Sequence, residues 1–176
     1  FVTKNNKGSF NKSFSQTNKK LYSDNNSIDS TDFEAKVETL KKIDEYARKF
    51  SQLAKQKVIN SEWVDGISDY LERNYNRQNF FLITATPQHE IENIIDKLNI
   101  SKYFKQIIGS PTNKKDAIRN IIVNYSIKPE ESLVVGDSVS DYEAAVLNQI
   151  VFVLRKTNLN QDLQNKLSCL MISNYK

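Results

Sequence analysis

The chain holds one cysteine, Cys169, among its 176 residues, so no internal disulfide can form and a reducing, cytoplasmic compartment suits it. Cys169 lies in an apolar run near the C-terminus and reads as a buried structural thiol, not a nucleophile. No apolar run reaches about 18 residues, which excludes a membrane-spanning helix and leaves no membrane partner. The first twenty residues lack an apolar core, which excludes a secretory signal peptide. The single histidine, His89, falls in the first turn of an expected helix and reads as a surface residue. An excess of one charge is also missing from most of the chain. Of the net charge of +4, residues 1–30 account for five lysines against two aspartates, and the remainder carries 20 basic and 19 acidic groups. A nearly neutral body gives little support to nucleic-acid binding. The chain begins at Phe1, not Met, so a processed product or a fragment is the expectation.

What is present is a polar leader followed by two kinds of rhythm. Residues 1–30 are rich in Asn, Ser and Lys, with aromatics scattered without period, and read as a flexible leader. Ser30, Thr31 and Asp32 then offer helix caps, and apolar residues recur in steps of three and four from Phe33 to Val58, the mark of one helical face. A second helix is expected over 63–75. From residue 80 the pattern alternates. Short apolar strands (80–84, 105–110, 132–137, 150–154) are separated by helical stretches (87–100, 114–126, 140–148), with a last helix before "CLMIS". Pro87 is expected at the first helical position, with Thr86 as the N-cap before it. Continuous apolar strands between helices indicate an α/β fold, a Rossmann-like parallel sheet with helices in layers on both faces.

Ligands in such sheets bind beyond the carboxyl ends of the strands. Three strand ends carry chemistry. Thr84, Ala85 and Thr86 follow "FFLI"; Lys114 and Lys115 come shortly after "QIIGS"; Gly136, Asp137 and, four residues on, Asp141 follow "LVV". A hydroxyl with an adjacent backbone N–H, an ammonium and paired carboxylates suit a phosphoryl group, whose transfer is eased by positive charge and hydrogen-bond donors. Asp137 would ligate Mg²⁺, a hard ion that prefers oxygen, and Asp141, one helical turn later, would join its outer shell. Each residue also has a plain structural use: Thr84 as a strand-end hydroxyl, Lys114 as a solvated helix opener, and Asp137, Ser138 or Ser140 as a helix cap.

The order strand–Thr84, then Lys114, then strand–Gly136-Asp137-Ser-Val-Ser-Asp141 resembles the haloacid dehalogenase superfamily, in its phosphoglycolate-phosphatase-like branch. The resemblance covers roughly residues 62–155. It implies a three-layer core over 63–176 and a small helical cap remnant over 31–62. It implies a Mg²⁺-dependent phosphatase acting on a small phosphate ester, with Thr84 and Ala85 holding the phosphate, Lys114 neutralising it, and Asp137 and Asp141 serving the metal. It also implies a phosphoaspartyl mechanism in which the first acid of an Asp-x-Asp motif attacks phosphorus.

That Asp-x-Asp motif is missing from this sequence. Asp24, Asp29 and Asp32 follow no apolar run, and Asp65 in "WVDGIS" opens a helix with no strand before it. In the superfamily the strand bearing the motif is central. Without it, the strands of Thr84 and Asp137 would stand about 9–10 Å apart, two strand spacings in place of one. Three outcomes are expected: further N-terminal sequence in the natural protein, another segment or chain in the slot, or direct closure of the two strands. A non-catalytic binding or regulatory module on the same fold is the alternative function. A phosphorylated receiver domain is disfavoured because its acceptor acid precedes the Thr and its Lys comes last. Oligomeric state has no signature here.

Overall fold

The computed structural model describes residues 30–176. The leader expected over residues 1–30 lies, Ser30 apart, outside the described residues. Helix α1 (Ser30–Ile59) is one unbroken helix of 30 residues, about 45 Å long at the usual rise. Its length follows from the absence of Gly and Pro and from ion pairs one turn apart, Glu38–Lys42 at 3.6 Å and Glu45–Lys49 at 2.7 Å. Such pairs each stabilise a helix by roughly 0.2–0.5 kcal/mol. Phe33, Tyr46, Phe50 and Leu53 on this helix are exposed.

Residues Glu62–Lys176 make a separate compact unit. Its elements are α2 (Ile67–Asn74), β1 (Phe80–Pro87), α3 (Gln88–Lys97), β2 (Phe104–Ser110), α4 (Lys114–Asn124), β3 (Leu133–Gly136), α5 (Val139–Leu147), β4 (Val151–Arg155), α6 (Gln161–Lys166) and β5 (Leu170–Ile172). Helix α3 begins one residue later than the sequence suggests. Pro87 is its N-cap, not its first helical residue, and Thr86 remains in β1, because Pro87 keeps an extended ψ of 141°. The strand therefore runs on until the proline, which needs no N–H partner there.

All strand pairs are parallel, and they form two pieces, β1–β2 and β3–β4–β5. Among the described residues β1 pairs only with β2 and β3 only with β4, so direct closure of β1 on β3 has not occurred. The pieces are bridged by α4 and α5, which pack on each other; α4 also touches β1, and α5 touches β3 and β4.

The core forms where helical stripes meet strands. Ile91, Ile94 and Ile95 of α3 and Ala117, Ile118 and Ile121 of α4 are buried. In the β3–β4–β5 piece Ala145, Phe152 and Leu154 are buried together, with Val134, Cys169 and Met171 partly buried against them. Full burial of a side chain such as Leu154 stabilises the fold by roughly 1.5–3 kcal/mol. Parallel strands flanked by helices match the expected α/β fold. On the other face of this piece Val153 is buried, while Leu133, Val151 and Leu170 are exposed.

Candidate active site

The carboxyl end of β3 is built around a glycine. A side-chain carbon at Gly136 would lie 2.3 Å from the Cβ of Asp141 and 2.5 Å from its Cγ. The absence of that carbon lets the first turn of α5 fold back over the strand end. Ser138 is the N-cap, and Asp141 completes a capping box: each side chain accepts the other's backbone N–H. Both remaining candidates for the cap, Asp137 and Ser140, are thereby released from that duty.

Asp141 is engaged on both oxygens. One accepts from Lys114 Nζ at 2.6 Å, and the other accepts from the backbone N–H of Ser138 at 3.2 Å and from its hydroxyl. Lys114 opens α4, whose N-cap Asn113 accepts from the N–H of Asp116. Its ammonium also reaches Ser138 Oγ at 3.5 Å. The ion pair is mostly buried, with side-chain exposures of 22% for Lys114 and 14% for Asp141. It therefore joins the first turns of two helices by a charge contact that solvent screens only weakly.

Asp137 sits beside this pair, half-buried at the end of β3. Burial pushes its carboxyl above the ordinary carboxylate range, and the neighbouring Asp141 pushes it further. Lys114 and Arg155 pull in the opposite direction. A half-buried acid raised in this way is stabilised in its charged form by a nearby cation. Its carboxylate oxygens suit a hard divalent ion, and one or two carboxylates plus a phosphate are what Mg²⁺ ordinarily takes from a protein site. Among the described residues no cluster of three or more His, Cys, Asp or Glu is placed to hold a metal, so Asp137 and Asp141 form an incomplete donor set.

Thr84 stands in β1, three residues before its end, on the other sheet piece. The ladder pairs Ile83 with Ile108 and next pairs Pro87 with Ser110, so four steps along β1 match two along β2. Thr84, Ala85 and Thr86 bulge out between those pairs. Bulges of this kind re-aim side chains and backbone and concentrate near functional sites. The Thr84 hydroxyl accepts from the N–H of Thr86 at 3.1 Å and lies 3.1 Å from the Thr86 hydroxyl. Ala85 is exposed, Thr84 half-buried and Thr86 buried. Two residues that carry the bulge escape notice in the sequence. Gly109 admits it, since a Cβ there would lie 2.6 Å from the Thr86 carbonyl oxygen. Gln88 replaces lost ladder bonds: its amide donates to the Ile107 carbonyl at 3.1 Å and accepts from the Gly109 N–H. The only advance signal is that a glutamine directly follows the strand.

Among the other residues considered, Lys115 is exposed beside the buried-side Lys114, and His89 is exposed. Asp65 is on the surface, paired with Lys176 at 2.5 Å, and precedes α2 in a turn.

Comparisons with known proteins bear on the family and the fold. The profile of the family described as haloacid dehalogenase-like hydrolase matches residues 3–154. Phosphoglycolate phosphatase of Pseudomonas putida is 36% identical over 69 residues, which make up 36% of this chain and 25% of that protein. Phosphoglycolate phosphatase 1 of Pseudomonas aeruginosa gives the same figures. The aligned part is thus about a quarter of the length of these curated relatives. Among solved structures, a candidate phosphoglycolate phosphatase from Lactobacillus plantarum superposes with a TM-score of 0.64 at 16% identity, covering 75% of this chain and 66% of that one. A HAD-superfamily hydrolase from Ehrlichia chaffeensis gives 0.54 at 18% identity, covering 94% and 82%. At these identities the likeness speaks for the fold.

Proposed function

The chain belongs to the haloacid dehalogenase-like hydrolase family, and on that premise we propose that its intact form is a Mg²⁺-dependent phosphatase acting on a small phosphorylated metabolite. The observation that carries this reading is the Lys114–Asp141–Ser138 cluster beside the half-buried Asp137.

Each residue has a distinct part. The Thr84 hydroxyl and the Ala85 N–H donate to oxygens of the phosphoryl group. The Lys114 ammonium, held by Asp141, neutralises charge that spreads over those oxygens as the ester bond breaks. Asp137 contributes a carboxylate oxygen to Mg²⁺. Asp141 serves from the outer shell, because both its oxygens are already committed. The ion itself supplies charge neutralisation and orientation of the phosphate. The nucleophile would be the first acid of an Asp-x-Asp motif, which these 176 residues do not contain. That acid takes the phosphoryl group and forms a phosphoaspartyl intermediate, and the second acid of the motif protonates the leaving oxygen and then activates water. The phosphoglycolate phosphatases named above make a phosphorylated small acid a reasonable first substrate to try.

The test is release of inorganic phosphate from p-nitrophenyl phosphate with Mg²⁺. Residues 1–176 alone are expected to be inert, and the full-length gene product is expected to turn over, with loss of activity on Asp137→Asn. An inert full-length product across a panel of phosphate esters refutes the proposal. Brisk turnover by residues 1–176 alone refutes the placement of the nucleophile.

A further inference from the structure

Beyond the last ladder pair of β3 and β4, Gly136 with Leu154, the two strands are held by one side chain. Asn160, which precedes α6, donates through Nδ2 to the carbonyl oxygen of Asp137 at 3.0 Å and to that of Arg155 at 2.9 Å. Its Oδ1 accepts from the N–H of Thr157 at 2.9 Å and from Gln164 Nε2 at 2.7 Å. Two donors and two acceptors exhaust the capacity of an asparagine amide. The side chain is half-buried. Gln164 closes the loop from behind by donating to the Thr157 carbonyl at 2.8 Å, and Leu159 N–H donates to the Thr157 hydroxyl at 3.1 Å.

This network ends on the backbone of Asp137. A strand-end residue has lost its ladder partner, so its carbonyl plane is free to turn unless something fixes it. Only Asn160 among the described residues does so, and it fixes the neighbouring strand end, Arg155, with the same nitrogen. No other common side chain of this length offers two donors in one plane with two acceptor positions. Aspartate keeps the acceptors and loses both donors. The carbonyl carbon and Cβ of Asp137 turn together about the N–Cα bond, so anchoring the carbonyl fixes the Cα–Cβ direction from which the carboxylate projects.

We infer that Asn160 is the positioning residue for the metal-binding carboxylate of Asp137, setting its aim through the main chain without touching metal or substrate. The inference rests on the phosphatase reading above, in which Asp137 serves Mg²⁺. Partners that orient a metal ligand typically contribute about 10–100-fold in affinity.

The test uses the full-length gene product and Mn²⁺ as probe, with free ion counted by its paramagnetic resonance signal. Four proteins are compared: the unaltered chain, Asp137→Asn, Asn160→Ala and Gln164→Ala. Gln164→Ala is the structural control, since it loosens the same loop and leaves the bond to Asp137 intact. The expected result is Mn²⁺ binding that Asp137→Asn removes, that Asn160→Ala weakens about tenfold or more, and that Gln164→Ala leaves within about twofold. On an Asp137→Asn background, Asn160→Ala should change nothing further. Asn160→Asp gives a second check, because it adds negative charge near the site yet is expected to weaken binding. Equal weakening by Asn160→Ala and Gln164→Ala, or no weakening by Asn160→Ala, overturns the inference and leaves the metal reading standing. Mn²⁺ binding that is absent, or insensitive to Asp137→Asn, overturns the metal reading and the inference with it.

Discussion

Gly136→Ala is the substitution whose effect can be worked most fully from geometry. The added methyl would meet the Cβ of Asp141 at 2.3 Å, its Cγ at 2.5 Å and its Oδ2 at 2.8 Å. Rotation of the Asp141 side chain relieves the last two contacts and leaves the first, because a Cβ is fixed to its own backbone. Strand β3 or helix α5 must therefore shift. Overpacking of this kind costs roughly 1–3 kcal/mol. The shift also strains the Ser138–Asp141 capping box, where loss of an N-cap bond costs about 1 kcal/mol. Against this, alanine restrains the unfolded chain and returns about 0.4–1 kcal/mol. The net expectation is a loss of about 2–3 kcal/mol, which lowers the Tm by roughly 5–15 °C for a unit of this size. Thermal unfolding by circular dichroism reads it directly. The mechanism makes a sharper demand through a second site. Asp141→Gly removes the offending carbon, so Gly136→Ala should cost almost nothing on that background, whereas Asp141→Ala keeps the Cβ and gives no relief. A Gly136→Ala protein within about 0.5 kcal/mol of the parent, or an equal cost on the Asp141→Gly background, refutes the reasoning.

Two further outcomes are expected. The Asp137 carboxyl is raised by burial and by Asp141, so the native state holds its proton to higher pH than the unfolded chain does. Its ionisation therefore costs stability as pH climbs from the unfolded value near 4 through the raised native one. In metal-free protein Asp137→Asn should raise the Tm at pH 7 and leave it unchanged at pH 3, while added Mg²⁺ should raise the Tm of the parent only; a variant no more stable than the parent at pH 7 contradicts this. Gln88→Ala should strip the Ile107 carbonyl and Gly109 N–H of their partner, at a cost of about 1–3 kcal/mol. Amide exchange at Gly109 should then quicken at least tenfold, and an unchanged rate removes Gln88 from its role in the bulge.

The alternation of short apolar runs with helical stretches makes the order of elements from β1 to β4 legible in the sequence, whereas the three-residue β5 is too short to stand out from an apolar run. Gly136 before Asp137 and the serines behind it mark the start of α5. The end of β1 is less legible. Pro87 fits a first helical turn and an extended strand end equally well in φ, and only the continuation of the strand past Thr84 decides between them. The bulge at Thr84–Thr86 has no sequence signal of its own, since it depends on a close approach to Gly109 across the ladder. The double commitment of Asp141 is likewise tertiary: a spacing of four from Asp137 says nothing of Lys114, 27 residues away, closing on it at 2.6 Å. The exposure of Leu133 and Val135 has no signal in the sequence, because both look like core residues in any strand. Asn160 stands in a polar stretch where asparagine is ordinary, and its bond to Asp137 forms only when β3 and β4 lie side by side.

In the proposed reaction the phosphoryl group passes to an aspartate that residues 1–176 do not supply, while Thr84, Lys114 and Asp137 hold and neutralise it. Rapid acid quench of the full-length gene product with a ³²P-labelled phosphate ester, followed by peptide mapping, tests this most directly. The expected result is acid-stable label on an aspartate outside residues 1–176 and none within them. Label on Asp137, Asp65 or any other carboxylate of this chain would contradict it.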